Sequence, residues 1–203
     1  MKRAHYFLTL ILSFICIFGA SAQDHSIRFQ NGTLTVSPLQ DNAVRIRYIE
    51  GEAAELPEWL YVENDDKVSC KKSSKGDVTT LRLKGLTLTA DNGSGRIEVA
   101  DSRGVKVFSA LAHELKAGTI QGERTKQAKL VIDSPADEYL YGLGQFQDGY
   151  LNVRGLTRRL TQVNTQISIP FLLSSKGYGL LWDNYGLTDF TPAESSVKLQ
   201  RPV

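Results

Sequence analysis

DVTTLRLKGLTLTADNGSGRIEVADSRGVKVFS, residues 77–109, decides how this chain folds. Leu81 and Leu83 alternate with Arg82 and Lys84, and Leu86 and Leu88 alternate with Thr87 and Thr89. Alternation with period two puts one set of side chains on each face of an extended strand. Turn residues separate the runs: Gly85, then Asn92-Gly93-Ser94-Gly95, then Asp101-Ser102-Arg103-Gly104. Residues 97–100 and 105–108 read as the two arms of a hairpin about the last of these turns.

The pattern continues upstream. NAVRIRYIE, residues 42–50, sets Val44, Ile46 and Tyr48 against Arg45 and Arg47, and Asn31-Gly32 marks another turn. Only 53–59, cut by Pro57, and 110–117 carry a helical pattern, and neither is long enough to be a stable helix by itself. Short strands with turn signals between them predict an all-β protein with little helix, an antiparallel β-sandwich or barrel. No internal repeat or low-complexity linker interrupts it.

The first 22 residues are set apart. Lys2 and Arg3 precede an apolar run over 6–18, followed by Gly19-Ala20-Ser21-Ala22. This is the pattern of a secretory signal peptide with Gln23 as the mature start. The run is short for a bilayer span, which needs about 20 residues. Cys16 follows Ile15, where a lipoprotein would carry a small residue. The expected location is therefore exported, periplasmic or secreted, with no membrane attachment after cleavage.

Removing 22 of 203 residues leaves 181, the size of one domain. The leader takes Lys2 and Arg3 from the 24 basic residues, which leaves 22 against 22 acidic ones. A neutral chain offers no electrostatic partnership to nucleic acid. Arg154, Arg158 and Arg159 form one small basic cluster, read as a solvated loop. Cys70 is the only cysteine beyond the leader. Stability therefore rests on an apolar core, which 41% hydrophobic residues can supply.

The later third differs. QISIPFLLSSKGYGLLWDNYG, residues 166–186, holds continuous apolar runs over 167–173 and 178–182 around a Lys176-Gly177 turn. Continuous apolar strands predict burial on both faces, and hence a further layer of protein. Pro170 predicts a bulge or an edge. Val197-Lys198-Leu199 reads as a final strand, and the chain is expected to be incomplete at its C-terminal end.

Tests for chemistry come out negative. His25 and His113 stand far apart, and HELKA at His113 lacks the second histidine of a zinc-protease helix, so no metal site is expected. No Gly-x-Ser-x-Gly elbow is present. Gly142-Leu143-Gly144 lacks the third glycine and the helix of a dinucleotide loop. These glycines instead let a strand bend or bring backbones close. Asp183 ends a strand, where it reads as a turn aspartate bonded to backbone amides and not as a catalytic acid. Sugar recognition is easier to support, because a ring stacks on a sugar's C–H face while amides meet its hydroxyls. Tyr139, Tyr141, Phe146, Tyr150, Trp182 and Tyr185 lie near Gln145, Gln147, Gln162, Asn164 and Asn184. The same rings could equally fill a sandwich core.

Three pieces in order carry a family resemblance: Glu138-Tyr139-Leu140-Tyr141-Gly142-Leu143-Gly144, then the stretch from Ile169-Pro170-Phe171 to Gly177-Tyr178-Gly179, then Trp182-Asp183-Asn184. Together they resemble glycoside hydrolase family 31, the α-glucosidase and α-xylosidase family. The resemblance implies an N-terminal supersandwich of galactose-mutarotase-like type spanning 23–203. Many members carry glutamate where this chain has Gln145. Gln145-Phe146-Gln147 and Gln162-Val163-Asn164 look like the bacterial α-xylosidase branch.

In that family catalysis sits in a following (β/α)₈ barrel, with an aspartate nucleophile and an aspartate acid/base. Such a barrel takes about 250 residues, and nothing here reads as βα repeats. The resemblance therefore implies no catalytic residue, no metal and no cofactor in this chain, which alone should hydrolyse nothing. Its expected partners are the missing barrel and, in the intact enzyme, an α-linked oligosaccharide ending in xylose or glucose. By position, residues 160–165 form the loop that reaches the sugar pocket. There Gln162 and Asn164 either contact the sugar or cap the loop. The alternative is a stand-alone carbohydrate-binding or adhesion β-sandwich. An aldose mutarotase would need a histidine and a glutamate in one cleft, and His25 and His113 give that little support.

Overall fold

The computed structural model describes residues 24–52, 60, 68–192 and 196–200; the leader and the 53–59 stretch lie outside the described residues. The strands, in chain order, begin with β1 (His25–Phe29), β2 (Gly32–Gln40), β3 (Ala43–Ile49), β4 (Lys71–Lys75) and β5 (Val78–Arg82). They continue with β6 (Leu86–Asp91), β7 (Arg96–Asp101), β8 (Lys106–Ile120), β9 (Glu123–Asp133) and β10 (Leu140–Gln145). They end with β11 (Arg158–Leu160), β12 (Ile167–Ser174), β13 (Gly179–Leu181), β14 (Thr188–Pro192) and β15 (Ser196–Gln200). The described residues contain no helix. The all-β antiparallel architecture is as the alternation predicts, and the sandwich is as the family resemblance implies.

A nine-stranded sheet runs β11-β14-β15-β9-β8-β7-β6-β5-β4, and two three-stranded sheets run β1-β2-β3 and β10-β12-β13. The period-two pattern of 77–109 maps directly onto the large sheet. Leu81 pairs with Leu88, and both are wholly buried; Arg82 pairs with Thr87 on the opposite face. β4 is exposed along its length, and its lysines guard that edge against pairing with another chain.

Each small sheet has its own core. Phe29, Leu34 and Val36 of the first sheet bury against Leu81, Leu88 and Ile97 of the large one. Leu140, Leu143 and Leu172 of the second bury against Ile132, Phe190 and Leu199. Phe108 and Leu130 touch both clusters and join them. The expected strand at 197–199 is β15, inserted between β14 and β9, with Leu199 opposite both Phe190 and Leu130.

The marginal helical pattern of 110–117 is corrected to strand. These residues belong to β8, which pairs with β9 from Ala110↔Ile132 to Ile120↔Glu123. A register shift between Ala110 and Ala112 breaks the alternation there, so period two is not visible in the sequence. Ladder pairing then overrides the helix-favouring composition of Ala, Leu, Glu and Lys. Gln121 and Gly122 take positive φ (51° and 86°) and close this hairpin tightly.

β10 meets β12 through another irregularity. Gly142 opposes Leu172 and Gly144 opposes Ser168, so residues 169–171 of β12 face Leu143 alone. Pro170 is the middle of this bulge, as its sequence position predicts. Its carbonyl accepts the Trp182 amide at 2.8 Å. Gly142 and Gly144 both have φ above +100°, and a Cβ on them would lie 2.4 Å and 2.1 Å from the carbonyl oxygens of Phe171 and Ile167. Gly142 and Gly144 are thus there for close backbone approach, as read from the sequence.

Candidate functional site

β11 leads into a tight hairpin. Val163 and Gln166 exchange backbone hydrogen bonds at 3.1 Å and 3.2 Å, with Asn164 and Thr165 at the tip. The Gln166 carboxamide donates to the Thr161 carbonyl at 3.0 Å and packs the hairpin on its own stem. Gln162 Oε1 accepts the Ser168 amide at 3.0 Å, tying the hairpin to the start of β12. Gln162 therefore caps the loop, and Asn164 is exposed at its tip. The two residues share one loop, as expected.

The arginine cluster is not the solvated loop the sequence suggests. The Arg158 side chain is 6% exposed; it donates to Asp148 Oδ2 at 2.5 Å and lies 4.2 Å over the Phe146 ring. Arg159 makes a two-pronged pair with Asp189 at 2.9 Å and 3.0 Å. That contact holds the Asp189 carboxyl below the usual carboxylate range and pushes the arginine up. Arg154 donates to Ser134 Oγ at 2.7 Å and to the Glu138 carbonyl at 3.2 Å. Sequence proximity groups these arginines; their partners lie 10–30 positions away in the chain and could not be read from it.

The Phe146 loop and the 157–166 segment enclose an open depression of about 520 Å³. Asp148, Arg158 and Arg159 line it together with neutral Gln147, Thr161 and Thr165.

A buried carboxylate sits just before β10. Glu138, 1% exposed, accepts from Ser134 Oγ and Ser174 Oγ, joining the end of β9 to the end of β12. The adjacent Tyr178 phenol is pushed up, first by burial and then by the Glu138 charge.

The outer face of β10-β12-β13 is apolar and open. Ile167, Ile169, Phe171 and Leu173 of β12 are 44%, 51%, 41% and 49% exposed, and Leu181 of β13 is 43% exposed. Leu173 pairs with Tyr141, and Phe171 pairs with Leu181, so these side chains share one face. The continuous apolar runs in the sequence thus supply one buried face and one face uncovered in this chain. The alternating burial of β12 reports it directly.

The aromatic residues weighed for sugar recognition divide. Phe146 and Trp182 pack on the core, and Trp182 Nε1 donates to Thr188 Oγ1 at 3.2 Å. Tyr139, Tyr150 and Tyr185 are more than half exposed. Asp183 is corrected: its carboxylate accepts from Arg45 Nη2 at 3.0 Å instead of from backbone amides. His113 sits against Tyr48 and Phe29, ring centroids 4.3 Å and 5.0 Å away. Among the described residues no three histidine, cysteine or carboxylate side chains converge to hold a metal ion.

Comparison with known proteins places this architecture. Residues 33–190 match the model of the glycosyl hydrolase 31 N-terminal galactose mutarotase-like domain. An α-xylosidase of Saccharolobus solfataricus is 30% identical over 184 residues, covering 85% of this chain and 25% of that protein. An uncharacterized family 31 glucosidase of Pseudescherichia vulneris is 27% identical, covering 77% of this chain and 34% of its own length. The crystal structure of a GH31 α-xylosidase from Xanthomonas citri superposes with a TM-score of 0.75 at 26% identity, over 84% of this chain and 19% of that one. The chain thus spans about a quarter to a third of the length of these curated relatives. It belongs to the glycosyl hydrolase 31 N-terminal galactose mutarotase-like domain family.

Proposed function

We propose that this chain is the non-catalytic front domain of an exported α-glycosidase that removes terminal α-linked xylose or glucose by the retaining route. The outer face of β10-β12-β13 packs on a catalytic (β/α)₈ barrel, and the 163–166 hairpin reaches that barrel's sugar pocket. Asn164, exposed at the tip, contacts the sugar. Gln162 holds the hairpin in place through Ser168 and presents its remaining amide hydrogens.

The observation that carries this reading is the apolar face itself: five large aliphatic or aromatic side chains, each at least 41% exposed, side by side on one sheet. Contiguous patches of this kind seldom stay open on a monomer and mark interaction surfaces. A stand-alone sugar-binding sandwich would have no use for so many aliphatic side chains facing water.

The solution state tests it. The purified chain should self-associate and bind a hydrophobic dye, and the Ile169→Asp/Leu173→Asp double variant should be monomeric with its fold intact. A wild-type chain that is monomeric and dye-silent would count against the docking reading. Turnover of an α-xyloside by the chain alone would overturn the non-catalytic one.

A further inference from the structure

We propose that the open depression at the β1–β2 turn, on the outer face of the first small sheet, binds a small oxyanion, a carboxylate or a phosphate group, through Arg28, Ser26 and Thr33. The site is carried by this chain alone. It lies on a different sheet from the apolar docking face and does not rest on the docking of a barrel.

The outer face of β1-β2-β3 is basic. These three strands carry Arg28, Arg45 and Arg47 and neither aspartate nor glutamate. Ile27 and Phe29 are buried, while Ser26 and Arg28 between them are exposed on the other face. The register sets Ser26, Thr35 and Arg47 in one row across the sheet and Arg28, Thr33 and Ile49 in the next. Period two adds Arg45 to the same face.

Two of the three arginines are answered by a carboxylate from outside the sheet, Arg47 by Asp24 at 3.1 Å and Arg45 by Asp183 at 3.0 Å. The Arg28 guanidinium has no partner among the described residues. It stands in the wall of a depression of about 870 Å³, as the one ionisable side chain among the described lining residues. Ser26, Thr33, Gln30 and Asn31 surround it with hydroxyls and carboxamides. Lys72 Nζ donates to the Ser26 carbonyl at 2.8 Å, so a second cation borders the same row. Its charge reaches His25, whose pKa is lowered first by burial and then by Lys72. Glu50, which flanks the lining at Gly51, has its carboxylate occupied by the Tyr48 hydroxyl at 2.8 Å.

A guanidinium offers a fork of N–H donors that matches two oxygens of a carboxylate or phosphate. Thr33 is directly opposite Arg28, and Ser26 is two residues along on the same face, so both hydroxyls are placed to donate as well. A neutral ligand would leave the Arg28 charge unanswered. The depression beside the 157–166 segment differs, because both its arginines already hold carboxylates.

Line broadening of the phosphorus NMR signal of inorganic phosphate, and saturation transfer to the acetate methyl, read binding from the ligand side, so self-association of the chain does not obscure them. With ionic strength fixed by sodium chloride, both anions should bind the chain in the millimolar range. Arg28→Gln, at an exposed position, should weaken binding about tenfold, and Ser26→Ala with Thr33→Val about threefold. Arg124→Gln removes an exposed arginine of β9 and should change nothing. Binding of phosphate alone would identify a phosphate group as the ligand and binding of acetate alone a carboxylate, and either supports the site. No binding of either anion would overturn the proposal, as would equal affinity in the Arg28→Gln and Arg124→Gln variants. Neither result depends on whether the Ile169→Asp/Leu173→Asp variant is monomeric, so failure here leaves the docking reading standing.

Discussion

Arg45 and Asp183 face each other at 3.0 Å across the two small sheets, one residue from the middle of β3 and the other just past β13. Their side chains are 23% and 27% exposed, so the pair is partly shielded. Asp183 is therefore a tie between sheets that the backbone ladder does not connect. Asp183→Asn should lower stability by about 1 kcal/mol, read as a shift in the denaturant midpoint with unchanged slope. An unchanged midpoint would mean the tie contributes nothing.

Gly144 should be nearly irreplaceable. Its φ is +102°, and a Cβ would stand 2.1 Å from the Ile167 carbonyl oxygen and 2.8 Å from the Ile169 amide. Both obstacles are backbone and cannot swing aside. Gly144→Ala should cost about 3 kcal/mol or prevent folding. Gly149 has φ +74° with nothing within 4 Å, so Gly149→Ala meets only the dihedral penalty, about 1 kcal/mol. Equal losses at the two positions would refute the close-approach argument.

Glu138 is buried among hydroxyl donors. Glu138→Ala leaves Ser134 and Ser174 without their acceptor and should destabilise by about 3 kcal/mol. Glu138→Gln keeps one carbonyl oxygen and should lose about half as much. Thermal melts of the two variants distinguish them, and a glutamine variant worse than alanine would contradict the assignment.

Stability should fall as pH drops below about 6.5, the ordinary histidine value. Burial lowers the His113 pKa, and the Glu50 charge opposes this more weakly. Burial also lowers His25, aided by Lys72. Both rings are neutral in the fold, so as pH falls the unfolded chain takes up protons first, and the stabilisation present above about 6.5 is lost toward the lower folded-state values. Denaturant midpoints at about pH 7.5 and about pH 5.5 should differ, and His113→Phe should narrow the gap. An unchanged gap would exclude His113.

Much of the fold was legible because strands declare themselves through period two. Val44 and Tyr48, Leu81 and Leu88, and Ile97 all pack in the core their alternation assigns. β8 was not legible, since the irregularity at Ala110–Ala112 shifts the phase within a run of helix-forming residues. The arginines were misread for a different reason. Burial of Arg158 depends on Phe146 and Asp148, and only the folded chain brings them to it. That Gln162 spends its oxygen on Ser168 is likewise visible only in three dimensions.

The central claim is that this sandwich fronts a catalytic barrel, and sequencing the DNA beyond the Val203 codon tests it most directly. The account predicts a reading frame that continues, directly or after one frameshift, into βα repeats carrying paired aspartates. A frame that closes into unrelated sequence would contradict it.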